Sequence, residues 1–209
     1  MANTTWNPAD KSVNCVLSNG NLTIGGSGGT NQGARSVDSH LAGKYYWECT
    51  WNNTAVSDAL GVSAAGASLT ASVTTAGQRC LLNQPGNIFL NGGTSVGSVG
   101  GAVTAGSVVC FALDCTGSLI WFRVGAGGNW NNSAGNNPAT GVGGIVMGAV
   151  LGGLALYAHA FVGFAAATVV ANFGNSAFTG AVPANFASGF VAGGDVVAGG
   201  AQARVSILA

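Results

Sequence analysis

Charged residues are what this sequence has least of. Only six lysines and arginines and six aspartates and glutamates occur among 209 residues, so 6% of the chain is charged, against roughly 25% in ordinary soluble domains. A neutral chain lacks the basic patch with which proteins bind nucleic acids, so no nucleic-acid partner is expected. It also lacks the charge repulsion that keeps a protein monomeric. We therefore expect a protein that works packed in an assembly.

The residues that metal sites and active sites use are also scarce. The two histidines, His40 and His159, lie far apart without a His or Cys three or four residues away, so no metal site is expected. A G-x-S-x-G pattern at Gly93–Gly97 precedes Asp114 and His159 in the order of a hydrolase triad. That nucleophile motif needs a strand, a turn and a helix, whereas this stretch leads into a glycine-rich turn without helical periodicity. We expect no catalytic residue, no cofactor and no enzymatic activity.

The cysteines do not form a disulfide framework. The five are Cys15, Cys49, Cys80, Cys110 and Cys115, which include no C-x-x-C pair and leave at least one thiol unpaired. Cys110 and Cys115 are expected to point to opposite faces of one strand, too far apart to bridge. Buried free thiols are the simple interpretation. Intermolecular disulfides within an assembly are the alternative.

A signal peptide and a membrane span are not expected either. The start, MANTTWNPAD, has neither the basic nor the apolar segment of a signal peptide. The segment 145–170 has no Asp, Glu, Lys or Arg and is long enough for a transmembrane helix. Its glycines at 148, 152, 153 and 163 divide it into pieces of strand length, and no basic or aromatic anchors flank it.

Short apolar stretches between Asn-Gly and Gly-Gly turns make up most of the chain. In the hairpin 107–124, an apolar strand Val108–Leu113 and an aromatic strand Leu119–Val124 flank a turn where the Asp114 carboxylate can accept backbone N–H bonds. Both strands are apolar on both faces, which predicts a position between two layers. At 44–51 the alternation predicts a half-buried strand whose core face holds Tyr45, Trp47, Cys49 and Trp51. Such short strands predict an all-β fold, an antiparallel β-sandwich.

The motifs of this chain, in their order, resemble those of SPRY (B30.2-like) domains. The hairpin is similar to the family's V-x-x-A-L-D…G-x-L-W-F centre, Gly43–Glu48 to its G-K-x-Y-W-E strand, and Ala171–Gly174 to its A-N-F-G strand. The resemblance implies a concanavalin-like jelly-roll that binds partners through loops at one end of the sandwich. It extends from about Trp6 to Phe190, so we assign residues 1–190 to one SPRY-like sandwich and 191–209 to a short extended tail.

Two further motifs resemble the bacteriophage and prophage form of this domain: W-N-P-A-D at 6–10 and N-P-A-T-G-x-G-G at 137–144. This resemblance implies a non-enzymatic virion protein, a capsid decoration or tail-fibre accessory subunit at the surface of the phage particle. Its partners would be other virion proteins or further copies of itself. The alternative is an adhesin domain on a bacterial surface that binds a host-surface protein or a glycan.

Two loops and the tail hold the residues expected to bind partners. The remodelled loop after the hairpin contains Asn129, Trp130, Asn131 and Asn132, where a Trp between amides offers a stacking face for sugars or a protein. A Trp folded back over the edge of the sandwich is the alternative. The second, weaker loop contains Trp51, Asn52 and Asn53. In the tail, Val205, Ile207 and Leu208 are predicted to form an arm that adds a strand to a neighbouring sheet, with a terminus that has no such role as the alternative.

Overall fold

The computed structural model describes residues 3–28, 31–53 and 58–191, with Asn53 described by its backbone alone. The strands in chain order are β1 (Trp6–Lys11), β2 (Cys15–Ser18), β3 (Thr23–Gly26), β4 (Gln32–His40), β5 (Lys44–Asn53), β6 (Ala59–Ser63), β7 (Arg79–Asn83), β8 (Asn87–Leu90), β9 (Ser95–Ser98), β10 (Val108–Asp114), β11 (Leu119–Val124), β12 (Ile145–Val146), β13 (Leu156–Val162), β14 (Thr168–Asn172) and β15 (Ala187–Ser188). One helical turn, α1 (Gly148–Leu151), follows β12. Two 3-10 turns lie at Trp130–Asn132 and Pro138–Thr140.

The strands form two sheets. The seven-stranded sheet has the order β1-β4-β13-β6-β7-β8-β9, and the eight-stranded sheet has the order β12-β11-β10-β5-β14-β3-β2 with β15 beside β5. β15 pairs with β5 in parallel, and the pairings along both strand orders are antiparallel. The expected antiparallel β-sandwich is confirmed.

The core lies between the two sheets because alternate residues of each strand point inward. Trp47 of β5 stacks on Phe111 of β10, with ring centroids 4.8 Å apart. Trp6 closes one side: its indole N–H donates to the carbonyl of Leu22 at 3.1 Å, and its ring meets Phe173 edge to face. Burying aromatic side chains of this size stabilises the fold by about 2 to 3 kcal/mol each.

The outer face of the eight-stranded sheet is buried as well. β10 and β11 are buried on both faces, as the hairpin pattern predicts. The prediction for β5 was wrong in one respect: Tyr46 and Glu48, on the face opposite the core, are 0% and 3% exposed. The reason is that the chain after β14 returns over this face, where Phe178 and Phe186 pack on it.

The remaining predictions on the fold concern cysteines and the apolar segment 145–170. All five cysteines are free and buried, and Cys110 and Cys115 lie in clusters on opposite faces of the sheet. The segment 145–170 forms β12, α1, β13 and the start of β14. Across residues 3–28, 31–53 and 58–191, no helix has the length and hydropathy needed to cross a membrane. The arm residues Val205, Ile207 and Leu208 lie outside the described residues.

Candidate functional site

The placement of charge is the first feature of the surface. Ten charged residues fall within the described ranges, and none of them is exposed. Four are partly buried, namely Asp10, Lys11, Asp38 and Lys44. Six are buried, namely Arg35, Glu48, Asp58, Arg79, Asp114 and Arg123. Since buried charges are costly unless they are hydrogen-bonded, each of these six is expected to organise polar groups around it.

Glu48 organises the outer face of the eight-stranded sheet. Its carboxylate accepts hydrogen bonds from the backbone N–H groups of Thr179 at 2.9 Å and Gly180 at 2.7 Å. It also accepts from the Tyr46 hydroxyl at 2.6 Å and from the Cys110 thiol at 3.7 Å. These bonds fasten the covering segment, defined here as residues 175–191, to the sheet. Burial, followed by hydrogen bonding to its neighbours, raises the pKa of Tyr46 above its usual range.

Trp130 lies under this same cover. Its side chain is 8% exposed and packs in a cluster with Tyr46, Trp121 and Phe186. The guanidinium of Arg123 lies 4.3 Å from the centre of its ring and donates to the carbonyl of Ala181 at 3.1 Å. Of the two interpretations of Trp130, the folded-back ring is the one that the structure shows, so this ring offers no stacking face to a partner.

The asparagines beside Trp130 have different positions. Asn131 accepts a hydrogen bond from the N–H of Phe122 at 2.9 Å and donates to the carbonyl of Gly143 at 2.9 Å, so it ties the loop to β11. Its φ of 46° is a left-handed conformation that asparagine tolerates better than most residues. Asn129 and Asn132 are exposed, and the side chain of Asn132 lies against Gly100. These two amides stay available to a partner.

The second predicted loop is largely inside the protein. Trp51 is 0% exposed and belongs to the core between the sheets. Asn52 is exposed, and the side chain of Asn53 lies outside the described part of the chain. Of the predicted residues Trp51, Asn52 and Asn53, the structure therefore leaves only Asn52 as a described surface side chain.

Arg79 organises the outer face of the seven-stranded sheet. Its guanidinium donates to the carbonyls of Ser68 at 3.3 Å, Ala71 at 3.0 Å and Thr75 at 3.0 Å, and to that of Ser72. All four carbonyls belong to the loop between β6 and β7. The loop covers an apolar cluster in which Val73 packs with Ala59, Leu81 and Phe161.

His159 is buried beneath the same loop. It is 1% exposed, and neither ring nitrogen has a hydrogen-bond partner among the residues described. Burial, followed by the positive charges of Arg35 and Arg79, lowers its pKa from 6.5 to about 3, so the ring is neutral at physiological pH. Asp114 is the acidic residue of the apparent triad. As predicted, its carboxylate lies in the hairpin turn, where it accepts a hydrogen bond from the N–H of Gly117 at 2.8 Å.

The G-x-S-x-G stretch itself enters strand β9 rather than a helix. The three parts of the apparent triad thus occupy an edge strand, a hairpin turn and the outer face of a sheet. The described residues contain no group of three or more His, Cys, Asp or Glu side chains arranged to hold a metal ion. One open cavity of about 270 Å³ lies at an end of the sandwich, lined by Ala64, Ala65, Gly66, Gln78, Leu154, Ala155 and Tyr157.

The two side edges of the sandwich differ in charge. At one edge, β1 carries Pro8, Asp10 and Lys11, and the Lys11 ammonium donates to the carbonyl of Cys15 on β2 at 2.7 Å. Asp10 pairs with Arg35 at 2.7 Å. At the opposite edge lie β9, which pairs with β8, and β12, which pairs with Leu119 and Ile120 of β11; none of these paired segments contains a charged residue.

We call the opposite side the charge-free edge and define it by β9, β12 and the exposed residues Asn129, Asn132 and Val142. A Cβ placed on Gly97 of β9 would lie 3.2 Å from the end of the Ile145 side chain on β12, so the two strands close this side together. Val96, Val142 and Val146 are 47%, 51% and 68% exposed here. Exposed apolar side chains on an end strand without charges are typical of an interaction surface.

Local composition predicts Asn129 and Asn132 of this edge as binding residues, but it does not predict β9. The signal that marks β9 is the long interval without Asp, Glu, Lys or Arg on either side of the hairpin, which composition averaged over the whole chain conceals. The distribution of charged residues along the chain carries information that their total number does not. Charge counted segment by segment distinguishes the two edges.

Comparison with known proteins supports the fold. By sequence, the chain matches no protein-family model and no curated protein. By structure it is similar to the SPRY domain of human HERC1, with a TM-score of 0.60 and 16% identity over 79% of this chain and 96% of that one. It is also similar to the PSpry domain of TRIM65, with a TM-score of 0.53 and 14% identity over 81% of this chain and 92% of that one.

A third similar structure is stonustoxin, with a TM-score of 0.53 and 16% identity, where the match covers 82% of this chain and 27% of the toxin chain. The toxin thus contains a region of this fold within a much longer protein. Together with the sheet order, these matches establish a β-sandwich of SPRY type.

Proposed function

We propose that this chain is a non-enzymatic binding protein that acts as a structural subunit of a bacteriophage virion, either decorating the capsid or accompanying the tail fibre. The observation that carries the proposal is the placement of charge. All six buried charges serve the interior, and the described surface has no fully exposed charged side chain. Such a surface suits permanent contact with neighbouring subunits.

Two further observations support the proposal. The SPRY-type fold supports a binding role, because in this fold the loops and edges vary around a constant sandwich. The W-N-P-A-D and N-P-A-T-G motifs support a phage origin by resemblance. Their residues have structural roles here: Trp6 is buried in the core, and the Asn137 side chain caps the 3-10 turn that begins with Pro138.

The adhesin alternative is less well supported. A glycan site generally needs an exposed aromatic ring on which the sugar stacks. In the loop 129–132 the aromatic ring is Trp130, which is buried. The exposed amides of Asn129 and Asn132 remain, and they suit a neutral protein surface equally well.

The proposal is tested by following the chain through purification of phage particles from its source. Particles are banded in a density gradient, and peptides of this chain are quantified by mass spectrometry against those of the major capsid protein. We expect the chain in the particle band at a constant ratio. An isotope-labelled copy of the chain, added after lysis, controls for adventitious binding. Absence of the chain from the particles, or equal recovery of the added copy, would overturn the virion assignment.

A further inference from the structure

The charge-free edge has the properties of an acceptor for one more strand. β9 is the terminal strand of its sheet, so the outward N–H and C=O groups along it have no strand partner. Ser95 and Val96 are exposed, and Gly97 and Ser98 are partly buried. Proteins normally protect such edges with lysine, proline, very short strands or β-bulges. The four residues of β9 include neither lysine nor proline, and its pairing with β8 has one register shift, between Ser95 and Gly97.

The other edges of the two sheets are protected. β1 contains Pro8, Asp10 and Lys11. The ammonium of Lys11 donates a hydrogen bond to the carbonyl of Cys15 on β2, so this carbonyl already has a partner. β12 has only two residues. Among the described end strands, β9 is therefore the one that has at least four residues and neither carries a charged side chain nor is bonded to one.

The inner face of β9 packs closely on apolar side chains. Gly97 has none of its own, and a Cβ placed there would lie 3.2 Å from Ile145 Cδ1 and 3.6 Å from Ile88 Cδ1. Ile88 is 0% exposed, whereas Ile145 is only partly buried. A strand with apolar residues on its inner face would cover Ile145 and extend the core.

The occupant that fits is the segment Ala203–Leu208 of another copy of this chain. Its sequence is ARVSIL, and a strand of this sequence would place Val205 and Ile207 on one face and Arg204 and Ser206 on the other. It has no acidic residue, no glycine and no proline, which suits a donated strand. This segment lies outside the described residues.

The end of the described chain favours donation to another copy. Val191 pairs with Asn3 in an antiparallel bridge, beside the end of the sandwich where β1 begins. The chain thus leaves at the charged edge, and the acceptor strand lies at the opposite one. Residues 192–202 can extend about 35 Å, enough to reach a neighbour placed side by side, since seven strands span about 30 Å.

We propose that segment 203–208 of one copy adds as a strand to β9 of the next copy, so that subunits associate head to tail. Each subunit then donates at one edge and accepts at the other, a heterologous interface that produces rings or filaments. This inference rests on the proposed function, because it names the partner of the assembly surface as the chain itself.

The test uses full-length chains with one half of the interface disabled. The donor variant carries Val205→Asp and Ile207→Asp, and the acceptor variant carries Val96→Lys and Ser98→Lys. A matched control, Val16→Lys, places the same charge at the β2 edge, where Val16 is 48% exposed. Urea unfolding of each variant checks that the sandwich is intact. Sedimentation velocity from low to high micromolar concentration then measures association.

We expect the wild type and the Val16→Lys control to form concentration-dependent oligomers. Each disabled variant alone should be monomeric, with association weakened at least about 100-fold by charges placed in an apolar strand interface. An equimolar mixture of the two should form dimers and no larger species, because one intact donor meets one intact acceptor. That mixing result is specific to a head-to-tail contact.

Three results would overturn the inference. A wild type that is monomeric throughout, including one whose own segment covers its own β9, excludes donation between copies. Oligomers of the donor variant that the acceptor substitutions abolish would mean that β9 pairs with β9 of another copy instead. A mixture that stays monomeric excludes the contact altogether. All three are measured without particles, so they are independent of the gradient experiment on the virion role.

Discussion

On each outer face of the sandwich, one buried charged side chain binds the segment that covers the sheet, and the two side chains have opposite charge. On the eight-stranded sheet, the Glu48 carboxylate accepts hydrogen bonds from the N–H groups of the covering segment. On the seven-stranded sheet, the Arg79 guanidinium donates to the carbonyls of the loop between β6 and β7. Each cover also packs an apolar cluster against its sheet.

The difference between the faces shows how so few charges can be sufficient. A turn that presents N–H groups to a sheet needs a concentrated acceptor, and a carboxylate provides two oxygens for it. A loop that presents carbonyls needs a donor, and guanidinium has five N–H groups in a fixed plane. One buried charge therefore satisfies several backbone groups that would otherwise lie unpaired under a loop.

The largest effect is expected from removing the carboxylate. Glu48→Ala leaves two backbone N–H groups and the Tyr46 hydroxyl without their acceptor, and should lower the free energy of unfolding by about 4 kcal/mol. Glu48→Gln keeps one acceptor oxygen but turns a donor toward other donors, so it should cost about half as much. Urea unfolding measures both losses. A loss below about 1 kcal/mol for Glu48→Ala would show that Glu48 does not hold the cover.

Removing the guanidinium on the other face should cost slightly less. Arg79→Met preserves much of the side-chain volume but leaves four loop carbonyls without their donor, for an expected loss of about 3 kcal/mol. Arg79→Lys restores the charge with fewer donors and should fall between Met and wild type. Hydrogen exchange should speed up in residues 68–75 and not in 179–190. Equal acceleration in both segments would contradict the independence of the two covers.

A change of pH should affect the stability of one outer face more than the other, because buried His159 lies on the face of the seven-stranded sheet, beside Arg79. Its pKa is depressed to about 3 in the folded chain and is 6.5 when exposed. The unfolded chain therefore binds a proton below pH 6.5 that the folded chain refuses, so stability falls as pH drops from 6.5 toward 3. Between pH 7.5 and 5 the wild type should lose about 2 kcal/mol more than His159→Leu. Parallel pH profiles for the two proteins would contradict this assignment.

The smallest expected loss of stability comes from a substitution in the segment that covers the eight-stranded sheet beside Glu48. A Cβ on Gly180 would lie 2.7 Å from the Tyr46 hydroxyl and 2.5 Å from Arg123 Nη2. Gly180→Ala should therefore push the cover away from the sheet and cost about 1.5 kcal/mol. Gly127→Ala, where nothing lies within 4 Å of the added atom, is the matched control and should leave stability within about 0.5 kcal/mol. Equal effects from both alanines would remove the argument for close packing at Gly180.

Local pattern predicted the parts of the fold whose interactions are local. Alternation placed Tyr45 and Trp47 in the core, and the hairpin with its Asp114 turn followed from two apolar strands around polar residues. The same alternation puts Trp51 on the core face, which is why it does not serve as a surface residue. Composition predicts a binding loop at Trp51–Asn53, but strand periodicity places its tryptophan in the core.

The hydrogen bonds that Glu48 and Arg79 make to the two covers cannot be predicted from local sequence patterns, because the bonded residues lie far apart in sequence. Glu48 accepts hydrogen bonds from Thr179 and Gly180, which follow it in sequence by 131 and 132 positions. No spacing rule connects residues so far apart. Trp130 shows the same limit: a Trp between amides suits an exposed platform or a folded-back ring, and the choice depends on the pocket around Arg123 that distant segments create. The candidate edge at β9 depends on strand order, which requires the whole topology.

The five buried thiols give the folded chain an unusual chemical character. Burial raises the pKa of Cys15 to about 11 and raises those of Cys49, Cys80 and Cys110 as well. Because the thiolate is the reactive form, we expect these four thiols to react slowly with alkylating agents and oxidants while the sandwich is folded. Each thiol becomes reactive when its layer opens, so the rate of labelling at each position is a built-in clock for local unfolding.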